Sequence, residues 1–501
     1  MITRLCVTGF KNLVDVDVRF GPFTCIAGAN GVGKSNLFDA IVFLSRLANS
    51  TLLEAASHVR DPQGRSSDIR TLFTHSGDTY AEEMRFAVEM VVARSATDDL
   101  GQHADASITL LRYELALGYE EGDQVNQPDR LVIRHESLEH LKRSEVKEVL
   151  PFLLTPQVGK RATGWSRSQT WRDGSVFGKR NAPFVSTKVD VSGQLRVQRH
   201  QEGNAGRPQP FDAANLPRTV LSTTNALESP TALVARREMQ SWSLLHFEPA
   251  ALRQPDDFRA PTRMAPDGRH VAATLYRLAH LDPGGAEHVY AQVANRLSEL
   301  LEDVRTVDVE RDPKRELLTL NVRDRAGTNH AARSLSDGTL RFLALTVLQE
   351  DPEASGVWCL EEPENGLYPA RIESMITLLR DIATDTRTEV GPDNPLRQVI
   401  INTHSPGVVR SVPDDSLVAA VPAEVVSGGR RTRTLRFKAL GQTWRTAVAD
   451  PAAEAIGKGW LLDYLSGTPR SGSAGDGAPD VAGSRVIDRD DVQLLLFPAG
   501  A

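Results

Sequence analysis

Along the first fifty residues the apolar positions change their spacing twice. Ile2 to Phe10 and Val14 to Phe20 read as strands, and in the second Val14, Val16, Val18 and Phe20 alternate with Asp15, Asp17 and Arg19, the period of a half-buried strand. Phe23 to Ala27 is a short unbroken apolar run, which predicts a buried strand. A glycine-rich turn follows, and Leu37 to Leu47 is mostly apolar over helical length. Further strands are predicted at Met84–Ala93, Ile108–Leu117 and Leu131–His135, forming a largely antiparallel sheet with the first ones.

From about Thr219 the pattern is regular again. Ala272–His280 and Ala286–Leu301 have helical spacing, with Leu297, Leu300 and Leu301 on one face. Val304–Val309 and Leu317–Val322 are predicted strands. After them come a helix at Thr339–Gln349, a strand at Gly356–Leu360, a helix at Pro369–Ile382 and a buried strand at Gln398–Ile401. Strands alternating with helices imply a parallel sheet covered by helices, so the fold class is α/β.

Composition changes this picture little, and charge changes it more. The 501 residues allow two or three domains, and 40% hydrophobic with 25% charged residues predicts a buried core over most of the chain. A net charge of −7 excludes a protein basic all over, but not one local basic face. Residues 141–210 hold 13 Lys and Arg against 5 Asp and Glu, together with Trp165 and Trp171. Cys6, Cys25 and Cys359 lie in apolar runs with no C-x-x-C pair, as buried reduced thiols do. The opening MITRLCVTGF enters a strand pattern directly, and no segment approaches the roughly 18 apolar residues of a membrane span. A cytoplasmic protein without membrane contact is expected.

Four short motifs carry candidate chemistry. Gly28-Ala29-Asn30-Gly31-Val32-Gly33-Lys34-Ser35 fits G-x-x-x-x-G-K-S/T between a buried strand and a helix. Its glycines let backbone N–H groups line up around phosphate oxygens, Lys34 would reach the β- and γ-phosphates, and the Ser35 hydroxyl would enter the shell of Mg²⁺. Val357 to Glu362 is an apolar strand delivering Glu361 and Glu362 at its carboxyl end, where open α/β sheets bind ligands. Glu361 would hold the metal directly or through water. Glu362, pointing the other way along the pleat, could orient or deprotonate a water. Ser334 to Thr339 precedes a helix, so Ser336 is either a helix cap alone or part of an anion site. His404, in Thr403-His404-Ser405-Pro406, follows a strand and could act near a γ-phosphate or be structural.

These motifs, in this order and spacing, resemble the ABC ATPases of the RecF and SMC branch, and more closely the OLD-like ATPases of bacterial anti-phage systems. G-A-N-G-V-G-K-S-N looks like the Walker A motif with Asn36 following, L-S-D-G-T like the abbreviated signature, E-E-P-E-N-G-L-Y-P like Walker B with its D-loop, and N-T-H-S-P like the switch histidine. The resemblance covers about residues 1–45 and 330–412. It implies a two-lobed head with a mixed or antiparallel lobe and a helix-covered, mostly parallel sheet. Two heads would pair head to tail. ATP with Mg²⁺ would lie on Gly28, Asn30, Gly31, Gly33, Lys34, Ser35 and Asn36 of one subunit, capped by Ser336 and Gly338 of the other, with Ser35 and Glu361 at the metal. Glu362 would be the catalytic base and His404 a γ-phosphate sensor. Glu361 stands where this branch usually has Asp, and the lobe-linking glutamine has only Gln63 and Gln102 as candidates.

Some 300 residues separate Walker A from the signature, which implies an insertion, and no heptad run marks it as a coiled coil. The expected organisation is an N-terminal head segment at 1–139, an inserted basic arm or lid region at 140–240, a C-terminal head segment at 241–465 and a flexible tail at 466–501. The arm could contact nucleic acid, dock a partner or be a solvated loop. A C-terminal TOPRIM nuclease is not expected: Glu424 lacks the usual glycine, Asp488 and Asp490 follow a low-complexity stretch, and Val492–Phe497 reads as a docking peptide. The resulting expectation is an ATP-hydrolysing sensor or regulatory subunit of an anti-phage complex, forming homodimers or larger assemblies, with a separately encoded nuclease or toxin as effector. The alternatives are a RecF-like DNA-repair ATPase and a nucleotide-binding scaffold.

Overall fold

The alternation of the first strands holds in the computed structural model, which describes residues 1–59, 68–77, 79–122, 129–142, 145–156, 165–167, 171–172, 175–178, 180, 182–202, 206–427, 430–448 and 455–467. Strand β1 (Ile2–Thr8) buries Leu5 and Val7 and leaves Arg4 and Cys6 half-buried on the other face. It pairs antiparallel with β2 (Val16–Arg19), while β3 (Phe23–Ala27) departs to a second sheet. On its other side β1 meets β4 (Glu83–Val91), followed by β5 (Leu110–Glu120) and β6 (Arg130–His140). Three more antiparallel strands extend this sheet: β7 (Val185–Val189), β8 (Leu195–Arg199) and β9 (Gln209–Asp212). The eight strands run β9-β8-β7-β6-β5-β4-β1-β2.

The second sheet is built around β3. Its order is β10 (Ser243–Leu245), β13 (Gly356–Glu361), β14 (Arg397–Thr403), β3, β15 (Leu417–Ser427) and β16 (Arg430–Ala439). The first five are parallel and β16 returns antiparallel. Every residue of β3 and β14 is buried, because both faces of this sheet are covered. On one face Ile26, Val357, Cys359 and Ile400 join a core with α1 (Lys34–Leu47) and the antiparallel sheet. Leu37, Phe38, Ile41, Phe43 and Leu44 of α1 are fully buried between the two sheets. On the other face Cys25, Trp358, Val399 and Ile401 pack in a second core with α3 (Val271–Leu281), α4 (Ala286–Ser298), α5 (Asp337–Glu350), α6 (Ile372–Ile382) and α7 (Pro406–Ser411). Strands β11 (Val304–Asp312) and β12 (Leu317–Asp324) form an antiparallel pair outside the main sheets. Among the described residues no helix is long and apolar enough to cross a membrane.

Three expectations change. Residues 185–240 do not stand apart as an arm: β7–β9 continue the antiparallel sheet, and α2 (Pro230–Gln240) places Ala232, Val234, Ala235 and Met239 in the same core as α1. Trp171 is fully buried, its ring 5.9 Å from that of Phe152 at 72°, in a small core with Leu150, Leu153 and Trp444. Several basic side chains of the segment are also committed internally. Arg196 pairs with Asp190 and Asp212, Arg199 with Glu228, and Arg180 stacks 4.6 Å from Phe184. Gln63, Lys160, Arg161, Asp488, Asp490 and Val492–Phe497 lie outside the described residues.

Candidate active site

The parallel register brings four strand ends to one edge. Ala27 of β3 is level with Thr403 of β14, Asn402 with Glu361 of β13, and Leu360 with Leu245 of β10. The chain leaves each strand here, and the turns enclose a cleft of about 730 Å³. Asn30, Gly31, Gly33, Lys34, Ser35, Glu361 and Glu362 all line it.

The glycine loop is held tightly from behind. Gly28 N donates to Thr403 O at 3.1 Å, and a Cβ on Gly28 would stand 2.5 Å from Ala420 O. Gly31 and Gly33 have φ of 76° and 101°, the left-handed region that glycine adopts without strain. A Cβ on Gly33 would strike Asn12 Nδ2 at 2.1 Å. Asn12 braces the loop: its Nδ2 donates to Val32 O at 3.0 Å, and its Oδ1 accepts from Asn36 Nδ2 at 2.7 Å. Asn36 therefore faces Asn12 and is not among the cleft-lining residues. The sequence reading missed Asn12, since an asparagine in a turn carries no mark of its own.

Lys34 opens α1 and is 6% exposed. Its Nζ donates to Gly28 O at 2.7 Å and Ala29 O at 2.8 Å. Burial pulls its pKa below the usual lysine value, while Glu362, Glu364 and Glu361 pull the other way. An ammonium held there against neutral carbonyls is a strong site for a more negative acceptor.

The two adjacent carboxylates are separated by a turn, not by the pleat as expected. The strand ends at Glu361, and Glu362 has φ 45°. Its N–H donates to Asn402 O at 3.0 Å and Asn402 Oδ1 at 3.2 Å, so the side-chain amide of β14 fixes the turn. Glu362 Oε1 lies 2.6 Å from His404 Nδ1, and Oε2 accepts from Asn365 Nδ2 at 2.7 Å. Glu364, whose place in the motif suggested no role, is buried. Its Oε1 accepts from the Thr403 hydroxyl, its Oε2 has no partner among the described residues, and burial raises its pKa.

The signature turn faces elsewhere. Ser336 is exposed and caps α5 by accepting from Thr339 N at 3.2 Å. Gly338 is buried, and a Cβ there would meet Leu367 Cδ2 at 2.6 Å and Gly366 O at 3.0 Å. Neither residue lines the cleft of its own chain. Arg341, further along α5, does, and it donates to Asn365 O at 2.6 Å. His246, beyond the end of β10, also lines the cleft and was likewise missed. Gln102 sits exposed in the turn of a small hairpin and does not line it.

An antiparallel lobe, a helix-covered parallel sheet and a glycine loop closing on a buried lysine define an ATPase head of the ABC type. The chain belongs to the AAA_21 family. The family model, described as "AAA domain, putative AbiEii toxin, Type IV TA system", matches residues 23–102 and 197–410. Over 46 residues the chain is 46% identical to the DNA replication and repair protein RecF of Porphyromonas gingivalis, a match spanning 9% of this chain and 13% of that protein. Among solved structures it is similar to an SMC head bound to the C-terminal winged-helix domain of ScpA, at 13% identity, 88% and 98% coverage of the two chains and a TM-score of 0.42. The SMC head domain from Thermotoga maritima matches at 11% identity, 88% and 98% coverage and a TM-score of 0.35.

Proposed function

We propose that this chain hydrolyses ATP in a site shared between two copies, and that the ATP-dependent pairing controls a separate effector in a bacterial anti-phage system. The observation that carries the shared site is a division within one chain. Lys34, Ser35, Glu361 and Glu362 line one cleft, while the exposed Ser336 turn lies outside it. A cap and helix N-terminus turned to solvent can serve an anion held by a second copy. ATP that touches both copies then favours the paired state by its differential binding.

The residues present suit ATP with Mg²⁺. Lys34 hydrogen-bonds two neutral carbonyls that phosphate oxygens would replace, and a Cβ on Gly31 meets nothing within 4 Å, so the loop has room for a ligand. Ser35 and Glu361 would hold the ion, which neutralises charge developing on the phosphates. Glu362 accepts the proton of the attacking water, and His404 and Asn365 fix the direction of its carboxylate. Gly28, Asn30, Gly31 and Gly33 supply the phosphate loop, Asn36 steadies it through Asn12, and Ser336 with Gly338 presents the cap from the second copy.

The regulatory part of the proposal draws on the family's description as a putative AbiEii toxin of a Type IV TA system. We place the protein in the cytoplasm, with a nuclease or toxin as effector and no nuclease site of its own. Phosphate release by purified protein, compared with Lys34→Ala, tests the core of the proposal; equal release by both would refute it. The short RecF likeness favours a second reading, a DNA-repair ATPase. Duplex DNA that raises turnover several-fold in a salt-dependent manner would select that reading.

A further inference from the structure

A second cavity, of about 400 Å³, lies between α3 and the antiparallel pair and shares no residue with the cleft. Phe258 and Leu318 line it from the β12 side, and Ala273, Tyr276 and Leu281 line it from α3. Its frame is fixed. Asp256 accepts from Ala273 N and from His270 Nδ1, each at 2.9 Å, and Phe258 N donates to Glu316 O at 3.0 Å. Leu281 nevertheless stands 70% exposed at the rim. Apolar lining left open to water favours a second apolar group.

The polar rim is cationic. The Arg311 guanidinium lies 4.4 Å from the Phe258 ring centroid and has no ion pair among the described residues. His280 stacks on Tyr276 with ring centroids 3.9 Å apart. Arg277 is already paired with Asp351 and Glu353. Asp257 is the only lining carboxylate among the described residues. An occupant that is apolar at one end and acidic at the other fits this arrangement.

The sequence contains such a segment outside the described residues: Asp488-Arg489-Asp490-Asp491, then Leu494-Leu495-Leu496-Phe497. The helix Lys458–Ser466 packs on α7 and joins the same core as α3 and β12. Between Gly467 and Asp488 lie 20 residues, a reach of roughly 65 Å when extended. The segment can therefore meet the cavity without crossing the molecule. A third cavity is unsuitable, because Asp282, Glu350, Glu353, Asp381 and Asp393 line it against two arginines.

We propose that Asp488–Phe497 docks in the cavity of its own chain, with Leu496 and Phe497 against Phe258, Tyr276 and Leu281 and the aspartates facing Arg311 and His280. Because the cavity is separate from the cleft, this docking stands or falls apart from the ATPase reading.

The test labels full-length protein carrying Leu281→Cys with a maleimide, without nucleotide. Cys25 and Cys359 are buried and Cys6 is half-buried, so the wild type supplies the background. A tethered segment has an effective concentration on the order of 1 mM, so a contact of roughly 0.1 mM affinity covers the thiol and slows labelling about tenfold. Adding Leu496→Asp and Phe497→Asp should restore fast labelling. Arg311→Glu should do the same, and Asp490→Arg with Asp491→Arg in that chain should bring the slow rate back. The slow rate should persist on roughly hundredfold dilution, as an intramolecular contact requires. Equal rates with and without the two apolar-to-aspartate changes leave the cavity to a separate protein and overturn the proposal. A charge swap that fails to slow labelling also overturns it. Protection lost on dilution assigns the cavity to the segment of a second copy and overturns docking within one chain.

Discussion

His404 Nδ1 stands 2.6 Å from Oε1 of Glu362, and the other oxygen of that carboxylate takes a hydrogen bond from Asn365 Nδ2. Both partners of the carboxylate come from turns at strand ends, so the acid is aimed by the sheet edge. Replacing it by its amide keeps the shape and removes the proposed base. Glu362→Gln should bind ATP normally and lose about a hundredfold or more in turnover, the usual contribution of a positioned base. Steady-state phosphate release beside analogue binding measures this; normal turnover would remove Glu362 from the chemistry.

Lys34 spends its hydrogen bonds on the carbonyls of its own loop. Its removal should leave the fold intact, because α1 is held by Leu37, Phe38, Ile41 and Leu44. Charged hydrogen bonds contribute about 1.5–3 kcal/mol, so Lys34→Ala should weaken ATP binding by roughly ten- to a hundredfold. Calorimetric titration with the Mg²⁺ complex of an analogue provides the measurement, and unchanged affinity would argue against the phosphate loop as the binding element.

Glu136 offers a test far from the cleft. It is fully buried in β6, accepts from Val220 N at 2.8 Å and Leu221 N at 2.9 Å, and burial lifts its pKa to about 7. A carboxyl that holds its proton more tightly when folded contributes stability that is full below its ordinary value near 4.5. That stability is lost as pH rises through 7. At 1.36 kcal/mol per unit the change is about 3 kcal/mol. Between pH 5 and pH 8 the wild type should therefore lose stability relative to Glu136→Gln. Parallel denaturation curves for the two proteins across that range would contradict it.

Trp171 separates packing from nucleic-acid contact. Its ring fills a core with Phe152 and Trp444, so Trp171→Ala should cost about 3–5 kcal/mol of stability. Any DNA affinity should survive below the lowered melting temperature. A stable variant that lost DNA binding alone would return the ring to the surface.

The parts legible in the sequence are those where one local rule suffices. Phe23–Ala27 and Gln398–Ile401 read as buried strands because both sheet faces are covered, and the observed β3 and β14 contain them. Gly28–Ser35 and Glu361–Glu362 stood out through residue type and spacing, and the structure brings Asn30, Gly31, Gly33, Lys34, Ser35, Glu361 and Glu362 to one cleft. What the pattern hid depends on distant partners. β7–β9 are short, and in β7 Lys188 and Val189 are exposed, so their alternation is weak until β6 supplies the pairing edge. The β15–β16 hairpin carries Arg431 and Arg433 against Val426 and Glu424, which masks its apolar face. Asn12 and His246 acquire meaning only when β1–β2 and β10 are folded against the loop and β13.

The shared site remains the central claim, and ATP-dependent mass tests it most directly. Light scattering of Glu362→Gln should show at least a doubling of mass when ATP and Mg²⁺ are added, and adding Ser336→Arg to the same chain should abolish that increase while leaving nucleotide binding intact. A mass indifferent to ATP, or an increase that survives Ser336→Arg, would contradict the account.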